Sequence, residues 1–387
     1  MQKFTNSVLL STMMFNFING AVIVVFPIYL LHTSNNYLLA TLITGLPLAA
    51  QVVGNYFWGW LSDRIRTRKL PAIAGCGTGC LMFLLLPFVQ PITLLILRTL
   101  QTLLLSSQVL LQNIVSDTSE RKGKSLGMLN VYSNVGVVAG AIAFVYLLPS
   151  ENLSHDFMLL FSAVLTFSGG IGTFFIVISQ DVIFGTNAKK PGNNIRVFIL
   201  FLVATVVMWG NYTIFSIFPI YISNFSIALG ECVLTGVKIT AVFIASSSLL
   251  GIPASYIAGI CTDRYSKIKI AACGILTYSV IWFILSITNS LILIYVIWVL
   301  PVWLFFVLPV TAASSESVSI EEKGWAIGMI NAGMGLGALL GSFTAGYLTP
   351  VEGFSAVFRT GSLIVFLGVI PLAIYFYHDR VLRSIKG

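Results

Sequence analysis

Charged side chains are scarce in this chain of 387 residues. Only 9% of the residues are Asp, Glu, Lys or Arg, and 57% are hydrophobic, whereas an ordinary soluble domain has about 25% charged residues. Runs of about 20 mostly apolar residues recur from end to end, the length of a helix that crosses a hydrocarbon core about 30 Å thick. No alternating pattern typical of barrel strands is present. The composition therefore predicts an integral protein of the lipid bilayer.

Acidic side chains are absent from the interior of these hydrophobic runs. All 13 acids lie in the connections or near the ends of the runs. Membrane proteins that carry protons or cations often do so on a carboxylate inside the membrane, so this absence argues against a buried proton carrier and against a cationic ligand. The three histidines, His32, His155 and His378, also lie near run ends.

Cysteines and metal-binding patterns are few. Of five cysteines, Cys76 and Cys80 lie one helical turn apart within a run, and no further ligand type lies near them. Small packing residues are therefore favoured over a metal site. The runs contain no H-E-x-x-H motif and no cluster of histidines with carboxylates. We predict no catalytic residues, no metal and no cofactor.

Twelve hydrophobic runs are long enough to span a membrane. They cover approximately residues 7–31, 38–61, 70–88, 92–114, 124–148, 157–179, 197–222, 234–259, 270–287, 291–313, 325–348 and 356–377. A short segment rich in Gly, Asn, Lys and Pro separates runs six and seven. We predict an all-α membrane protein of two six-helix bundles, residues 1–179 and 196–387, joined by a cytoplasmic linker at 180–195.

Basic side chains are distributed unevenly between the two faces of such a bundle. The formal net charge is +8. With an inside N-terminus, 18 of the 21 Lys and Arg residues lie on one face, and the exceptions are Arg98, Lys238 and Arg359. This is the positive-inside bias. It predicts a multi-pass protein of the cell membrane with both termini cytoplasmic, and it explains the charge without nucleic acid as a partner.

The chain also repeats itself after about 200 residues. Three segments recur in the same order at offsets of 200, 201 and 192 residues: Gly59–Arg64 as Gly259–Arg264, Lys122–Asn130 as Lys323–Asn331, and Phe26–Tyr29 as Phe218–Tyr221. A duplication of this length indicates two similar halves, which in a membrane protein is the usual architecture of a secondary transporter.

The loop after the second run resembles the signature loop of the major facilitator superfamily. From Gly59 to Lys69 it reads G-W-L-S-D-R-I-R-T-R-K, and the family pattern is roughly G-x-L-a-D-r-x-G-r-k. A weaker copy runs from Gly259 to Lys269. The resemblance covers essentially the whole chain and implies alternating access, in which two halves rock about a central cavity. Arg66 and Ser266 replace the second glycine of the pattern, which puts the family's tight turn in question.

The two loop copies predict a gate made of Gly59, Asp63, Arg64, Gly259, Asp263 and Arg264. The glycines would allow close approach of helices. A helix N-terminus carries about half a positive charge and stabilises a nearby anion by about 0.3–1 kcal/mol. Runs eleven and five begin after Lys-Gly pairs, so the aspartates are expected to dock at those helix starts and hold the cytoplasmic side shut. The alternative is that they only balance the neighbouring arginines.

Arg98 is the one charge well inside a run, about 9 Å from its outer end at 1.5 Å per residue. An intramembrane charge costs at least about 2.5–3.5 kcal/mol. With Gln101 it forms an Arg-x-x-Gln pattern that resembles the fourth-span signature of the superfamily, although Thr102 stands where that signature has glycine. Three roles are open: binding an anionic group, tuning a proton site, or hydrogen bonding to backbone carbonyls.

Amides within the runs indicate where a solute would bind. Asn16 and Asn19 share a helix face, as do Asn130 and Asn134, and Asn211 is the repeat partner of Asn19. Amides in hydrocarbon need partners, so they either bridge helices or line a polar site. The family resemblance places runs one, four, seven and ten at the cavity. The candidate substrate ligands are Asn16, Asn19, Arg98, Gln101, Asn134, Asn211 and Trp298.

Runs five and eleven share a glycine pattern. Gly127, Gly136 and Gly140 recur as Gly328, Gly337 and Gly341, and small-x3-small spacing lets helices pack closely. The pattern resembles part of a drug-antiporter signature, but the proline and the final glycine pair of that signature are missing. Close packing is the favoured interpretation.

These observations predict a monomeric secondary active or facilitative transporter. It would move a small organic solute, an anionic one if Arg98 binds it, with a proton or another ion as the coupling ion if there is one. The alternatives are a proton-coupled drug efflux antiporter and, from a different class, a transporter-like membrane sensor.

Overall fold

The computed structural model describes residues 2–118, 122–147, 155–179, 194–230, 233–318 and 322–386. Only the backbone is described at residues 2–5, 113, 115–118, 122–127, 144–147, 155, 233–234 and 378–386, and most of the predicted linker lies outside the described residues. Within these ranges the chain forms no strand and fifteen α-helices: α1 (Gln2–Ser34), α2 (Tyr37–Ile65), α3 (Lys69–Leu81), α4 (Pro91–Leu105), α5 (Val109–Thr118), α6 (Lys122–Leu147), α7 (His155–Ile178), α8 (Ile195–Phe215), α9 (Phe218–Ala228), α10 (Val233–Arg264), α11 (Lys267–Leu285), α12 (Leu291–Val299), α13 (Leu304–Glu316), α14 (Lys323–Leu367) and α15 (Val369–Lys386).

Ten helical segments of the described chain are long and apolar enough to cross a membrane. One of them, Lys323–Tyr377, has 55 residues, which is about 80 Å of helix and far more than one span requires. The helix is broken at Gly353, whose φ of 77° and ψ of 176° are not helical, so this segment holds two spans. Helix α6 holds another, with an apolar part at Met128–Ala143. The predicted all-α fold with twelve spans is confirmed.

Two spans are interrupted next to prolines. Helix α8 ends at Phe215, and α9 begins at Phe218 with Pro219 in its first turn. Helix α12 ends before Leu300, whose extended backbone (φ −69°, ψ 114°) precedes Pro301. Proline lacks an N–H donor and disfavours a helical residue before it. Both interruptions leave an aromatic side chain, Phe215 or Trp298, close to a helix end.

The helices pack into two compact units. The first contains Met1–Thr186 and Phe218–Ile252, and the second contains Asn187–Ile217 and Pro253–Gly387. In the first unit, α1 packs against α2, α6, α7 and α9; in the second, α14 packs along α8 and α11. The predicted boundaries at residues 179 and 196 would place α9 and the start of α10 in the second half, whereas this division places them in the first unit. The predicted boundaries stay a prediction.

The glycines of α6 form a close backbone contact with α1. A Cβ atom built on Gly136 would collide with the main-chain oxygen of Met13, and one built on Gly140 would collide with that of Phe17. Gly20 on α1 lies equally close to the Val137 main chain. Side chains larger than hydrogen would therefore separate these two helices.

The second unit repeats this contact between α14 and α8. Cβ atoms on Gly337 and Gly341 would collide with the main-chain oxygens of Thr205 and Trp209. The partners on α1 and α8 are 192 residues apart in the chain, and the glycines of α6 and α14 are 201 residues apart, the same offsets as in the sequence repeat. The packing interpretation is confirmed for Gly136, Gly140, Gly337 and Gly341, whereas a Cβ built on Gly328 has no atom within 4 Å.

The turn after α2 forms although Arg66 replaces the family's glycine. Arg66 has φ 61° and ψ 24°, the left-handed conformation, at the C-terminal cap of α2. A left-handed conformation costs about 1–2 kcal/mol for a residue with a Cβ atom. Ser266 in the second copy has φ −61° and ψ 117° instead. The family-like tight turn is thus present in the first copy, and the second copy uses an extended residue.

Candidate functional site

Arg98 is buried against Gln101 in the first unit. The Arg98 residue is 6% exposed and Gln101 is fully buried. Arg98 Nη1 donates to Gln101 Oε1 at 2.8 Å, and Gln101 Nε2 donates to the Gly79 carbonyl of α3 at 3.1 Å. The guanidinium therefore reaches a backbone carbonyl only through a side-chain amide, and Gln101 bridges α4 to α3.

The charge of Arg98 has no carboxylate partner within the described chain. Its Nε is buried and makes no hydrogen bond to any described residue. A guanidinium in hydrocarbon is costly unless acceptors surround it, and one amide oxygen is an incomplete set for five N–H donors. Arg98 thus keeps donors for an additional acceptor, whereas both ends of Gln101 are already engaged.

The asparagines of α1 and α6 differ in how their amides are satisfied. Asn16 Nδ2 donates to the Thr12 carbonyl at 2.9 Å, and Asn134 Nδ2 donates to the Asn130 carbonyl at 3.0 Å. These bonds stay within one helix, so they do not bridge helices. Half-buried Asn19 makes no hydrogen bond to any part of the chain that the structure describes. Of the three, Asn19 is the amide with its full hydrogen-bonding capacity left for a solute.

Five residues of the second unit form an aromatic cluster around Asn211: Phe215, Tyr278, Trp282, Trp298 and Tyr212. The Phe215 and Trp298 rings stack, with centroids 5.7 Å apart and an interplanar angle of 15°. Trp282 lies 5.7 Å from Trp298 and 4.9 Å from Tyr278, and Tyr212 lies 5.3 Å from Phe215. Centroid distances of this size are favourable for aromatic pairs.

The polar atoms of the aromatic cluster are only partly satisfied. The Tyr278 hydroxyl donates to Asn211 Oδ1 at 2.7 Å, while Asn211 Nδ2 reaches only the Met208 sulfur at 3.7 Å. Trp282 is 4% exposed, and its Nε1 has no hydrogen-bond partner among the described residues. Buried donors without acceptors are uncommon in proteins. The cluster combines ring surface with spare N–H donors.

Asn211 and Trp298 of this cluster were named as candidates from the sequence, whereas Tyr278 and Trp282 were not. The last two lie four residues apart on α11, so they share a helix face. A Tyr and a Trp on one face of an apolar span are a usable signal, because each has a polar atom that needs a partner. Trp209, in contrast, donates its Nε1 to Thr344 Oγ1 at 2.9 Å and joins α8 to α14.

The predicted gate residues lie at the surface of their units. Asp63, Arg64, Asp263 and Arg264 are exposed, and the Arg64 guanidinium lies 5.4 Å from the centre of the Trp60 ring. The latch of Asp63 and Asp263 stays a prediction.

The close approach predicted at Gly59 occurs at a different glycine. No atom of the described chain lies within 4 Å of a Cβ built on Gly59 or Gly259. At Gly54, one and a half turns earlier in α2, a Cβ would lie 2.6 Å from the Leu103 carbonyl oxygen and collide with Ser106 Oγ. Spacing within a loop motif does not show which glycine of α2 packs closely in this structure, and the role of Gly59 and Gly259 in the gate stays a prediction.

One G-x-S-x-G pentapeptide occurs in the chain, at Gly123–Gly127. In hydrolases this motif places its serine at a sharp turn between a strand and a helix. Residues 123–127 lie inside helix α6, which does not provide that turn, so the pentapeptide does not indicate a catalytic serine.

Comparison with known proteins identifies the family. A sequence profile described as Major Facilitator Superfamily matches residues 8–306 and 200–386, while a comparison with curated proteins finds no match. A mutant form of the nucleoside transporter NupG is 13% identical and has a TM-score of 0.77, with 97% of this chain and 99% of that chain covered.

Two further solved structures share the fold. The D-xylose-proton symporter is 12% identical, with a TM-score of 0.75 and 95% and 97% of the two chains covered. A bacterial homolog of the human lysosomal transporter Spinster is 15% identical, with a TM-score of 0.70 and 98% and 97% covered. Because the family profile covers nearly the whole length, and the twelve spans and signature loop agree with it, this chain belongs to the major facilitator superfamily of membrane transporters.

Proposed function

We propose that this transporter moves a small organic solute with an anionic or strongly hydrogen-bond-accepting group, and that it works by alternating access. The observation that carries the proposal is the burial of Arg98 without a carboxylate partner among the described residues. We further propose that it acts as a monomer in the cell membrane. The charge distribution supports the proposal that both termini are cytoplasmic.

Arg98 supports an anionic or acceptor-rich group for an energetic reason. Desolvating a charge is expensive, and the cost is recovered only by close acceptors of good geometry. Gln101 supplies one acceptor at 2.8 Å. A carboxylate or phosphate of a solute would supply two oxygens in the geometry that a guanidinium binds best.

The aromatic cluster supports an organic solute with a flat or ring-shaped part. Stacked rings contribute contact area, and the free N–H of Trp282 and the weakly engaged Asn211 Nδ2 fix orientation by donating hydrogen bonds. The names of two solved relatives, a nucleoside transporter and a D-xylose-proton symporter, are those of carriers of ring-containing organic solutes, which agrees with this assignment.

The distribution of acids bears on coupling. The chain has 13 acids, and all lie outside the span interiors. A proton carried on a buried carboxylate is therefore not supported. Facilitated transport, or coupling through a group other than a buried carboxylate, fits the chain better than proton-coupled drug efflux.

The test is a thermal-shift screen of the purified full-length protein followed by transport in proteoliposomes. A size-matched series of anionic, neutral and cationic solutes is added, and the melting temperature rises by mass action for a solute that binds the folded state. We expect the largest rise with anionic solutes. Transport of the same solute into proteoliposomes then separates a transporter from a sensor, which would bind without flux.

Arg98 variants test the role of the charge. Arg98→Ala should weaken binding at least tenfold, or about 1.4 kcal/mol, with little change in melting temperature without solute, and Arg98→Lys should retain part of the affinity. Arg359→Ala, which removes an exposed cation, is the matched control and should change neither. Full transport by a folded Arg98→Ala protein would refute the proposal, and a large loss of stability without solute would assign Arg98 a structural role through Gln101.

A further inference from the structure

A polar cavity of about 630 Å³ lies at one end of the second unit. The first turns of α8 and α11 line it together with the last turn of α13 and the part of α15 around Tyr375 and Phe376. By the distribution of basic residues this end is predicted to be cytoplasmic. No residue of the aromatic cluster and no residue proposed to bind the transported solute lines the cavity.

The lining of the cavity is cationic. It includes Arg196, Lys267 and Lys269, and one carboxylate, Glu316, for a net formal charge of +2. Lys267 Nζ forms an ion pair with Glu316 Oε1 at 2.9 Å, and the Glu316 side chain is 62% exposed. Lys269 makes no hydrogen bond or ion pair with any residue that the structure describes. Its ammonium group is therefore available to an anion.

The repeat partner of Lys269 shows what the same lysine does elsewhere. Lys69 lies 200 residues earlier, in the first loop copy, and its Nζ donates to the Ser179 carbonyl at 2.5 Å, next to the end of α7. There the lysine ammonium group is bonded to a main-chain carbonyl just after the last residue of α7. In the second unit the equivalent lysine faces an open cavity, so the two copies have diverged at this position.

Hydrogen-bond donors at the start of α11 add to the charge. Ser266, Lys267, Ile268 and Lys269 all line the cavity, and Ser266 is the N-cap residue but its side chain does not cap the helix. The first N–H groups of a helix have no partner within the helix and favour an anion. The cavity lining therefore combines a lysine that has no ion pair within the described chain with a serine and the first residues of a helix.

Exposed apolar residues lead away from the cavity along α11. Lys269 heads a row of exposed residues at helical spacing: Cys273, Leu276 (42% exposed), Val280 (58%) and Phe283 (51%). Helix α15 packs against α11 and carries a second such row, Ile370, Ile374 and Tyr377. In a membrane span, exposed apolar rows of this kind face lipid.

We propose that this cavity binds the phosphate of an acidic phospholipid headgroup, with the acyl chains lying along the exposed rows of α11 and α15. Lysines and arginines near a membrane surface attract acidic lipids by about 1 kcal/mol each, and basic pockets between spans bind lipid headgroups. A phosphate group from a soluble molecule would share the headgroup chemistry but would not use the apolar rows, which is why a lipid is the assigned source.

Lipid binding is tested by native mass spectrometry of the full-length protein titrated with phosphatidylglycerol or phosphatidylcholine. We expect phosphatidylglycerol to bind more tightly than phosphatidylcholine. Lys269→Gln should lower the affinity for phosphatidylglycerol about fivefold. Lys323→Gln removes an exposed lysine outside the cavity lining and should not lower this affinity. Glu316→Gln removes a repelling carboxylate and should increase the affinity. Equal binding of the two lipids, or equal losses in the two lysine variants, would overturn the site.

The source of the phosphate is tested with glycerol 3-phosphate. If the lipid is the ligand, glycerol 3-phosphate should neither raise the melting temperature nor displace phosphatidylglycerol at millimolar concentration. Stabilisation by glycerol 3-phosphate that is lost in Lys269→Gln would retain the phosphate site but overturn its assignment to a lipid.

Discussion

Replacing Gly337 by alanine tests the backbone contact between α14 and α8. The added Cβ would lie 2.8 Å from both Met208 Cβ and Trp209 N, and it would collide with the Thr205 carbonyl oxygen. Contact distances between such atoms are normally about 3.5–4.0 Å, so α14 must move away from α8 by several tenths of an ångström at least. Because two of the three neighbours are backbone atoms, no side-chain rotation can make room.

The magnitude of the effect follows from two opposing terms. Overpacking of a well-packed contact costs about 1–3 kcal/mol, and alanine is favoured over glycine inside a helix by about 1 kcal/mol. The rigid neighbours place Gly337→Ala near the upper end of the first range. We therefore expect a net loss of about 1–2 kcal/mol in the free energy of unfolding.

The same helix supplies a matched control. Gly328 also lies in α14, and no atom is within 4 Å of a Cβ built on it. Gly328→Ala should therefore gain up to about 1 kcal/mol from helix propensity alone. Unfolding of both variants by a denaturing detergent in mixed micelles measures the difference. If Gly337→Ala is as stable as Gly328→Ala, the contact does not contribute to stability as argued.

Two further predictions concern the first loop copy. Arg66→Gly removes the strain of a left-handed residue and should stabilise the protein by about 0.5–1 kcal/mol. Ser266→Gly, at a residue with φ −61°, should bring no gain. Equal effects of the two changes on unfolding in detergent would contradict the assignment of strain to Arg66. Asp63→Asn should slow transport in proteoliposomes by up to about fivefold, as expected for a charge–dipole contact of about 1 kcal/mol, without lowering the melting temperature, because the Asp63 side chain is exposed and makes no hydrogen bond within the described chain. Unchanged transport would refute its role as a latch.

The span pattern and the glycine contacts were predictable because both depend on short-range periodicity. About 20 apolar residues must be helical in hydrocarbon, and glycines four residues apart must share a helix face. The interruption of α12 before Pro301 could also be anticipated from the proline alone. The inclusion of α9 in the first unit could not, because it depends on which helices meet in three dimensions.

The candidate site was only partly predictable for the same reason. Arg98 was identifiable as the one deep charge, but its bond to Gln101 and the engagement of Gln101 with Gly79 require the position of α3. Tyr278 is conspicuous only once α11 is known to face Asn211 on α8. Sequence shows which side chains need partners, and the packing of distant helices decides which partners they find.

The contact between α1 and α6 has a consequence for synthesis of the chain. Phe17 and Gly140 are 123 residues apart, so at about 5–20 residues per second α1 is in the membrane for roughly 6–25 s before α6 has been made. During that interval an amide that depended on α6 would have no partner in lipid. Asn16 does not depend on it, since its amide donates to Thr12 of its own helix. One N–H group of the Asn16 amide is thus already bonded while the first span is in the bilayer without α6.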